Sequence, residues 1–156
     1  MEEKKQERIS TFELMAKLFE SLAEEVIDKF GQEGKKAIED AVFKFGVKRG
    51  QGIRQNVEKA GEPLTLENYL KFYDMERSSD FKSETSIGED YIDQYITVCP
   101  LGNTWAKDKM AEIGKLYCDN VDKGLAHGYD PKIQYNLEKH VLRDCNHCYL
   151  KFRKEK

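Results

Sequence analysis

The chain has 156 residues, enough for one domain with a real hydrophobic core. Charged residues make up 35% and apolar ones 39%, which is within the globular range, and no run of about 20 apolar residues provides a membrane span. The formal net charge of −3 comes from interspersed signs, with no basic patch carrying interleaved aromatics, so nucleic acid and membrane are both excluded as expected partners.

The start, Met1-Glu2-Glu3-Lys4-Lys5, is charged and leads into no apolar run, so no signal peptide is predicted. The expectation is a cytoplasmic protein with reduced thiols, a single domain over 1–156 and a disordered start over 1–9. Ser10 with Glu13 reads as a capping box. Phe12, Met15, Phe19, Leu22, Val26 and Phe30 then recur every three or four residues, which predicts a helix with one buried stripe, closed by Gly31.

A second helix is predicted over about 32–60, with Ile38, Ala41, Val42, Phe45, Ile53 and Val57 on its apolar side. Gly46, Gly50 and Gly52 interrupt it, each at roughly 1 kcal/mol relative to alanine. Two readings account for them. One is close backbone packing on a neighbouring helix, or a break near Gly50. The other is a kink that opens a pocket, with Arg49 or Arg54 facing an anionic ligand. The same face would suit a homodimer contact. Gly61-Glu62-Pro63 ends this helix, and Thr65 caps a short third one with Leu66, Tyr69, Leu70 and Phe72-Tyr73 on its apolar side.

From Met75 to Val98 the period changes. Two antiparallel strands joined around Gly88 are predicted, the second of them Tyr91–Val98. It stops at Cys99-Pro100, because proline has no N–H for the ladder. Gly102-Asn103 opens a fourth helix capped by Asn103, with Trp105, Met110, Ile113, Leu116, Tyr117, Val121 and Leu125 buried. It ends near Gly128, and Tyr129-Asp130-Pro131 forms a turn. Ile133 to Leu137 alternates as a strand, with Val141-Leu142 as its continuation. Arg143-Asp144-Cys145-Asn146 makes the hairpin, and Tyr149 to Phe152 alternates again. The basic ending Lys151-Phe152-Arg153-Lys154 reads as an edge strand and a solvated tail. The order predicts an α+β fold: N-terminal helices packed on a roughly four-stranded antiparallel sheet, with a further helix between two strand pairs.

All four cysteines, all three histidines and the only tryptophan lie between Cys99 and Cys148. Cys145-x-x-Cys148 has the spacing of half a zinc site or of a redox dithiol. Cys99, Cys118, His127, His140 and His147 are the residues that would complete a site, at spacings of no standard zinc module, and unrelated cysteines are the competing reading. Cys118 and Asp122 stand one turn apart and share a helix face. Asp122 there would orient a histidine or take a proton from bound water; the plain reading is a buried cysteine beside an exposed aspartate. Cys99 stands near a helix N-terminus, whose partial positive charge favours a thiolate or an anion; the plain reading is a strand-end cysteine.

Taken together, Cys99-Pro100, Trp105, Tyr117-Cys118, Asp122, Gly128-Tyr129-Asp130-Pro131 and Cys148 resemble the bacterial L-2-amino-thiazoline-4-carboxylate hydrolase family, most clearly over residues 95–152. The Gly50 region and Pro63-Leu64-Thr65 extend the likeness into the helical part. The chain departs from the family pattern at Asp144-Cys145, where Gly-Asp is usual before the final cysteine, and at His140. The resemblance implies attack on C2 of a cyclic, amidine-like thiazoline and ring opening to a carbamoylated cysteine. It implies Cys118, Asp122 and Cys99 as catalytic residues. Arg49, Arg54, Trp105, Tyr129 and Cys148 are the implied substrate-binding residues. The cofactor is left open; a divalent metal, if the reaction uses one, would be held by Cys99, Cys118, Cys145 and Cys148. The layout also looks like the small ligand-binding domains of the 4-vinyl-reductase type, which likewise end in a cysteine-bearing strand. The alternative function is therefore a non-catalytic small-molecule sensor or binding domain, and a metal module built on Cys145-x-x-Cys148 is a third.

Overall fold

The computed structural model describes residues 8–143 and 146–155. The expected disordered start falls mostly outside that range, as do Asp144 and Cys145, and with them the Cys-x-x-Cys pair. The long helical region α1 spans Thr11–Lys59 and is capped by Ser10, whose Oγ accepts the Glu13 N–H at 3.1 Å. It is not one rod. Gly31 has φ 57° and ψ −132°, a conformation outside the helix that favours glycine. Residues 26 and 34 of a straight helix would be about 12 Å apart. A Cβ built on Gly34 would lie 2.6 Å from the carbonyl oxygen of Val26. The chain therefore folds back at Gly31, and α1 consists of two helical arms, 11–30 and 32–59.

The buried side of the first arm differs from the expected stripe. Ala16, Glu20 and Ala23 are buried, with Phe12, Phe19 and Val26 half-buried beside them. Met15, Leu22 and Phe30 are exposed, because small residues let this arm pack closely and turn the longer ones outward. In the second arm Gly46 and Gly50 serve close packing, whereas Gly52 faces open space. A Cβ on Gly46 would meet the Val121 carbonyl oxygen at 2.2 Å, and one on Gly50 the Leu125 carbonyl oxygen at 2.1 Å. No break occurs at Gly50. Gly46 and Gly50 are covered by the chain's own helix, so they supply no dimer contact.

That partner helix, α4, spans Ala111–Tyr129 and offers Gly124 and Gly128 to the same crossing. The expected single helix from Asn103 is in fact two. Helix α3 covers Pro100–Lys107 and is capped by Cys99, whose Sγ accepts the Gly102 N–H at 3.4 Å. Asn103 sits exposed within it. Proline at the first helical position gives up an N–H that has no helical acceptor there, so the cap belongs one residue before it. Lys109, at φ 59°, separates α3 from α4. Trp105 anchors α3 to the first arm by donating its ring N–H to the Ala16 carbonyl at 3.1 Å. Between α1 and the sheet lies α2, Leu66–Lys71, capped by Thr65, with Phe72 closing it.

The sheet has strands β1 (Lys82–Ile87), β2 (Tyr91–Val98), β3 (Ile133–Lys139) and β4 (Cys148–Lys154), all antiparallel, in the order β1-β2-β4-β3. The basic ending is therefore an inner strand, not an edge. Phe152 pairs with Ile92 and Tyr135 on either side and is buried. Val141-Leu142 does not prolong β3. The chain turns there, Arg143 N–H bonds to the His140 carbonyl, and Leu142 packs with Ala16 and Trp105. The main core joins the second arm, α2, α4 and one face of the sheet through Ile53, Val57, Leu66, Tyr69, Ile92, Leu125, Tyr129 and Phe152. The result is the expected α+β layout. Among the described residues no helix is long and apolar enough to cross a membrane.

Candidate functional site

The layer between helices and sheet is apolar except in one place. Asp122 projects there from α4, one turn beyond Cys118, with which it shares a face. Cys99 comes from the end of β2, Cys148 from the start of β4, Tyr117 from α4, Tyr135 from β3, and Tyr69 and Tyr73 from α2 and the residues after it. The charge of Asp122 acts on Cys99, Cys118 and all four tyrosines, so these groups face one region. Cys118 also feels Cys99 and Cys148. None of these three thiols is in a disulfide.

Several members of the cluster, among them Asp122, Cys118, Tyr73, Tyr117 and Tyr135, are half-buried. Burial is nevertheless the largest influence on the pKa of each. Each therefore keeps some accessible surface while its charged form is disfavoured. Burial pushes the Asp122 carboxyl up to about 6, against the opposing pull of the Arg49 charge. Burial, reinforced by Cys99, Cys148 and Asp122, drives the Cys118 thiol well above its ordinary value. Burial also raises Cys99, although the N–H groups of Gly102 and Leu101 pull it back. The helix N-terminus is thus outweighed, and both thiols are neutral at neutral pH. Tyr117 is pushed up to about 12 by burial and Asp122.

Arg49 is the cation of the region. Its guanidinium makes two hydrogen bonds to Asp74, at 2.8 and 2.7 Å, and a longer one of 3.4 Å to the Tyr73 hydroxyl. Burial opposes its charge, but Asp74 and Tyr73 outweigh burial and raise its pKa. The Gly46 and Gly50 crossing brings this arm against α4, and so sets Arg49 within electrostatic range of Asp122 without a direct ion pair.

The other expected site residues are placed differently. Arg54 pairs with Glu58 on the same arm at 2.8 Å and is not among the charges that act on Asp122. Trp105 is buried with its N–H already donated, and it packs on Phe19 and Tyr117. Tyr129 is buried and donates its hydroxyl to the Thr65 carbonyl at 2.7 Å. Both stand behind the cluster as packing. Cys148 accepts the Val141 N–H at 3.4 Å. The histidines lie elsewhere: His127 is exposed against Phe43, His147 beside Tyr95, and His140 is buried next to Arg143 with its pKa lowered by burial to about 4. Among the described residues no group of three or more His, Cys, Asp or Glu is arranged to hold a metal ion.

A family model described as L-2-amino-thiazoline-4-carboxylic acid hydrolase matches residues 11–152. The chain belongs to this family. The match takes in the helical arms as well as the cysteine-bearing half, so every described member of the cluster falls within the hydrolase-family region. No curated protein matches the chain significantly. Among solved structures the fold resembles trafficking protein particle complex subunit 3 from Naegleria fowleri, a structure covalently bound to palmitic acid. That likeness has a TM-score of 0.57 and 15% identity, over 93% of this chain and 95% of the other. At that identity it reports the fold.

Four tyrosines and Asp74 in this family member's cluster were not singled out from the sequence as site residues. Tyr69 and Tyr73, four apart, read as an apolar helix face, with core preferred over an aromatic end that lines a pocket. The available signal was the hydroxyl: a tyrosine at a core position needs a partner for its O–H, where phenylalanine does not.

Proposed function

We propose that the chain hydrolyses a small cyclic amidine of the thiazoline type, with Asp122 as the general base that activates water. The observation that carries this reading is the Asp122 carboxyl, lifted to about 6 by burial beside neutral thiols. A carboxyl with that pKa exists in both protonation states near neutral pH, which suits proton transfer in each direction. As carboxylate, Asp122 takes a proton from water as the oxygen adds to C2 of the ring. As the acid so formed, it returns the proton to the ring nitrogen as the C2–N bond breaks, leaving the carbamoyl group on sulfur. Arg49, held in place by Asp74, supplies the positive field for the substrate's negative charge. Cys118 and Cys99, both protonated, stand beside Asp122 and are less suited to open the attack themselves. No step is routed through a metal, and Trp105, Tyr129 and Arg54 have no direct role.

The test is ring opening of 2-aminothiazoline-4-carboxylate by the purified chain, followed by release of a primary amine and by product mass. Activity should rise with pH through about 6, and Asp122→Asn should lose it. Cys118→Ser should keep activity within about tenfold. Abolished activity in that variant would transfer the attack to the thiol.

A second reading, a non-catalytic small-molecule binding domain, is favoured by the fold shared with a lipid-bearing subunit. It predicts ligand binding by the wild type with no turnover and no dependence on Asp122.

A further inference from the structure

Two buried hydroxyls of the cluster make no hydrogen bond within the described fold. The Tyr69 and Tyr135 oxygens are both sealed from solvent, and neither finds a hydrogen-bond partner among the described residues. Tyr69 as a whole is 1% exposed. Buried polar atoms are nearly always paired, and a buried tyrosine O–H usually finds an acceptor. Asp122 acts on both tyrosines without a hydrogen bond to either, and two other neighbouring groups are already engaged. Arg49 is held by Asp74 and Tyr73, and the Thr65 carbonyl takes the Tyr129 hydroxyl. Tyr69 comes from the helical side on α2, and Tyr135 from the sheet on β3. Both rings pack on Phe152, at centroid distances of 5.7 Å for Tyr69 and 5.0 Å for Tyr135, and the charge of Asp122 acts on both.

We propose that Tyr69 and Tyr135 are the residues that select a carboxylate on the ligand, each donating its O–H to that group while the ligand's basic end faces Asp122. This rests on the hydrolase reading above for the identity of the basic end. Two donors approaching from opposite sides match the two oxygens of one carboxylate, and Arg49 adds a positive field. In the ligand-free form the hydroxyls are closed off, so entry of the ligand parts the side chains around them. The polar contacts it gains there replace those it leaves in water.

The experiment uses the full chain with Tyr69→Phe and Tyr135→Phe. Thermal melts are recorded first without ligand. Titrations and rates then follow, with 2-aminothiazoline-4-carboxylate and with 2-aminothiazoline, which lacks the carboxylate. Each variant should melt at or above the wild type, since removing an unpaired buried hydroxyl costs the fold nothing. KM for the carboxylate-bearing ring should rise about tenfold or more, with kcat within about threefold, and affinity for the bare ring should stay unchanged. A variant that melts below the wild type would overturn the proposal, because its hydroxyl is then bonded within the fold or to a resident water. Equal losses for both rings, or no loss for either, would overturn it too. If the wild type neither binds nor opens either ring, the hydrolase reading fails on its own. Melts with acetate and propionate against their carboxamides then decide the tyrosines. Carboxylate-selective stabilisation that disappears in both variants sustains the assignment, and its absence in the wild type ends it.

Discussion

Asp122 lies within α4 and Asp130 caps its end, eight residues on, yet burial acts on them with opposite net results. Asp130 is 8% exposed, and burial alone would raise its pKa. Lys154, 2.8 Å away, and the Lys132 N–H, 3.0 Å away, overcome burial and hold it below the ordinary range. Asp122 has only the Arg49 field, and that guanidinium is already bonded to Asp74. A buried carboxylate with partners fastens the fold; one without them holds its proton to a higher pH and becomes available for proton transfer. The fold holds Asp130 for the joint between α4 and β3, since Lys154 also bonds the Leu64 carbonyl near α2.

The strongest way to break the comparison is Asp122→Asn. Ring opening should fall by about 100-fold or more. Stability should move the other way. The Asp122 pKa is raised from 3.8 to about 6, so its ionisation weighs against the native state. That penalty is absent below about pH 4, grows as pH rises through about 6, and reaches the order of 3 kcal/mol. Urea titrations should find the variant equal to the wild type at low pH and more stable at pH 8.

Gly50→Ala should cost about 3 kcal/mol, because the new methyl meets the Leu125 carbonyl and has no flexible side chain to displace. A midpoint unchanged in urea would mean that the two helices part without loss. Asp130→Ala should cost about 2 kcal/mol at pH 7, leaving the Lys154 ammonium half-buried without its carboxylate. The stabilisation from Asp130 is present above its unfolded pKa and lost as pH falls through the lower folded value, the reverse of Asp122. The smallest effect expected is that of Arg49→Met. Loss of this favourable charge on Asp122 should carry the pH limb of activity upward from about 6, by a fraction of a unit to about one unit. A limb that stays in place would assign it to a different group.

Much of the fold was legible in the residues. The break at Gly31, the Ser10 and Thr65 caps, the hairpin around Gly88 and the α+β order all follow from local rules, and local rules read them correctly. Pairing of Asp122 with Cys118 on one face followed from helical spacing. Local rules did not reach the cap at Cys99, because a thiol is a rare cap and Asn103 a common one. The Phe72-Tyr73 pair and Tyr135 read as apolar surface, since a tyrosine's hydroxyl is invisible to periodicity. Arg54 and Arg49 looked equivalent in sequence, five residues apart on one helix. Only the packing of α4 separated them.

What the sequence alone determined is which segments become helices and strands, and that the thiols and Asp122 fall in one half of the chain. Those properties depend on neighbours within a turn or a hairpin. The tertiary structure decided the rest: which glycines meet, where β4 inserts between β2 and β3, and whether a carboxylate buried on α4 finds a cation. Charge state belongs to this second group. The pKa of Asp122 depends on hydration lost to β3, α2 and the second arm of α1, and on an arginine already committed to Asp74, none of which lies near it in the chain.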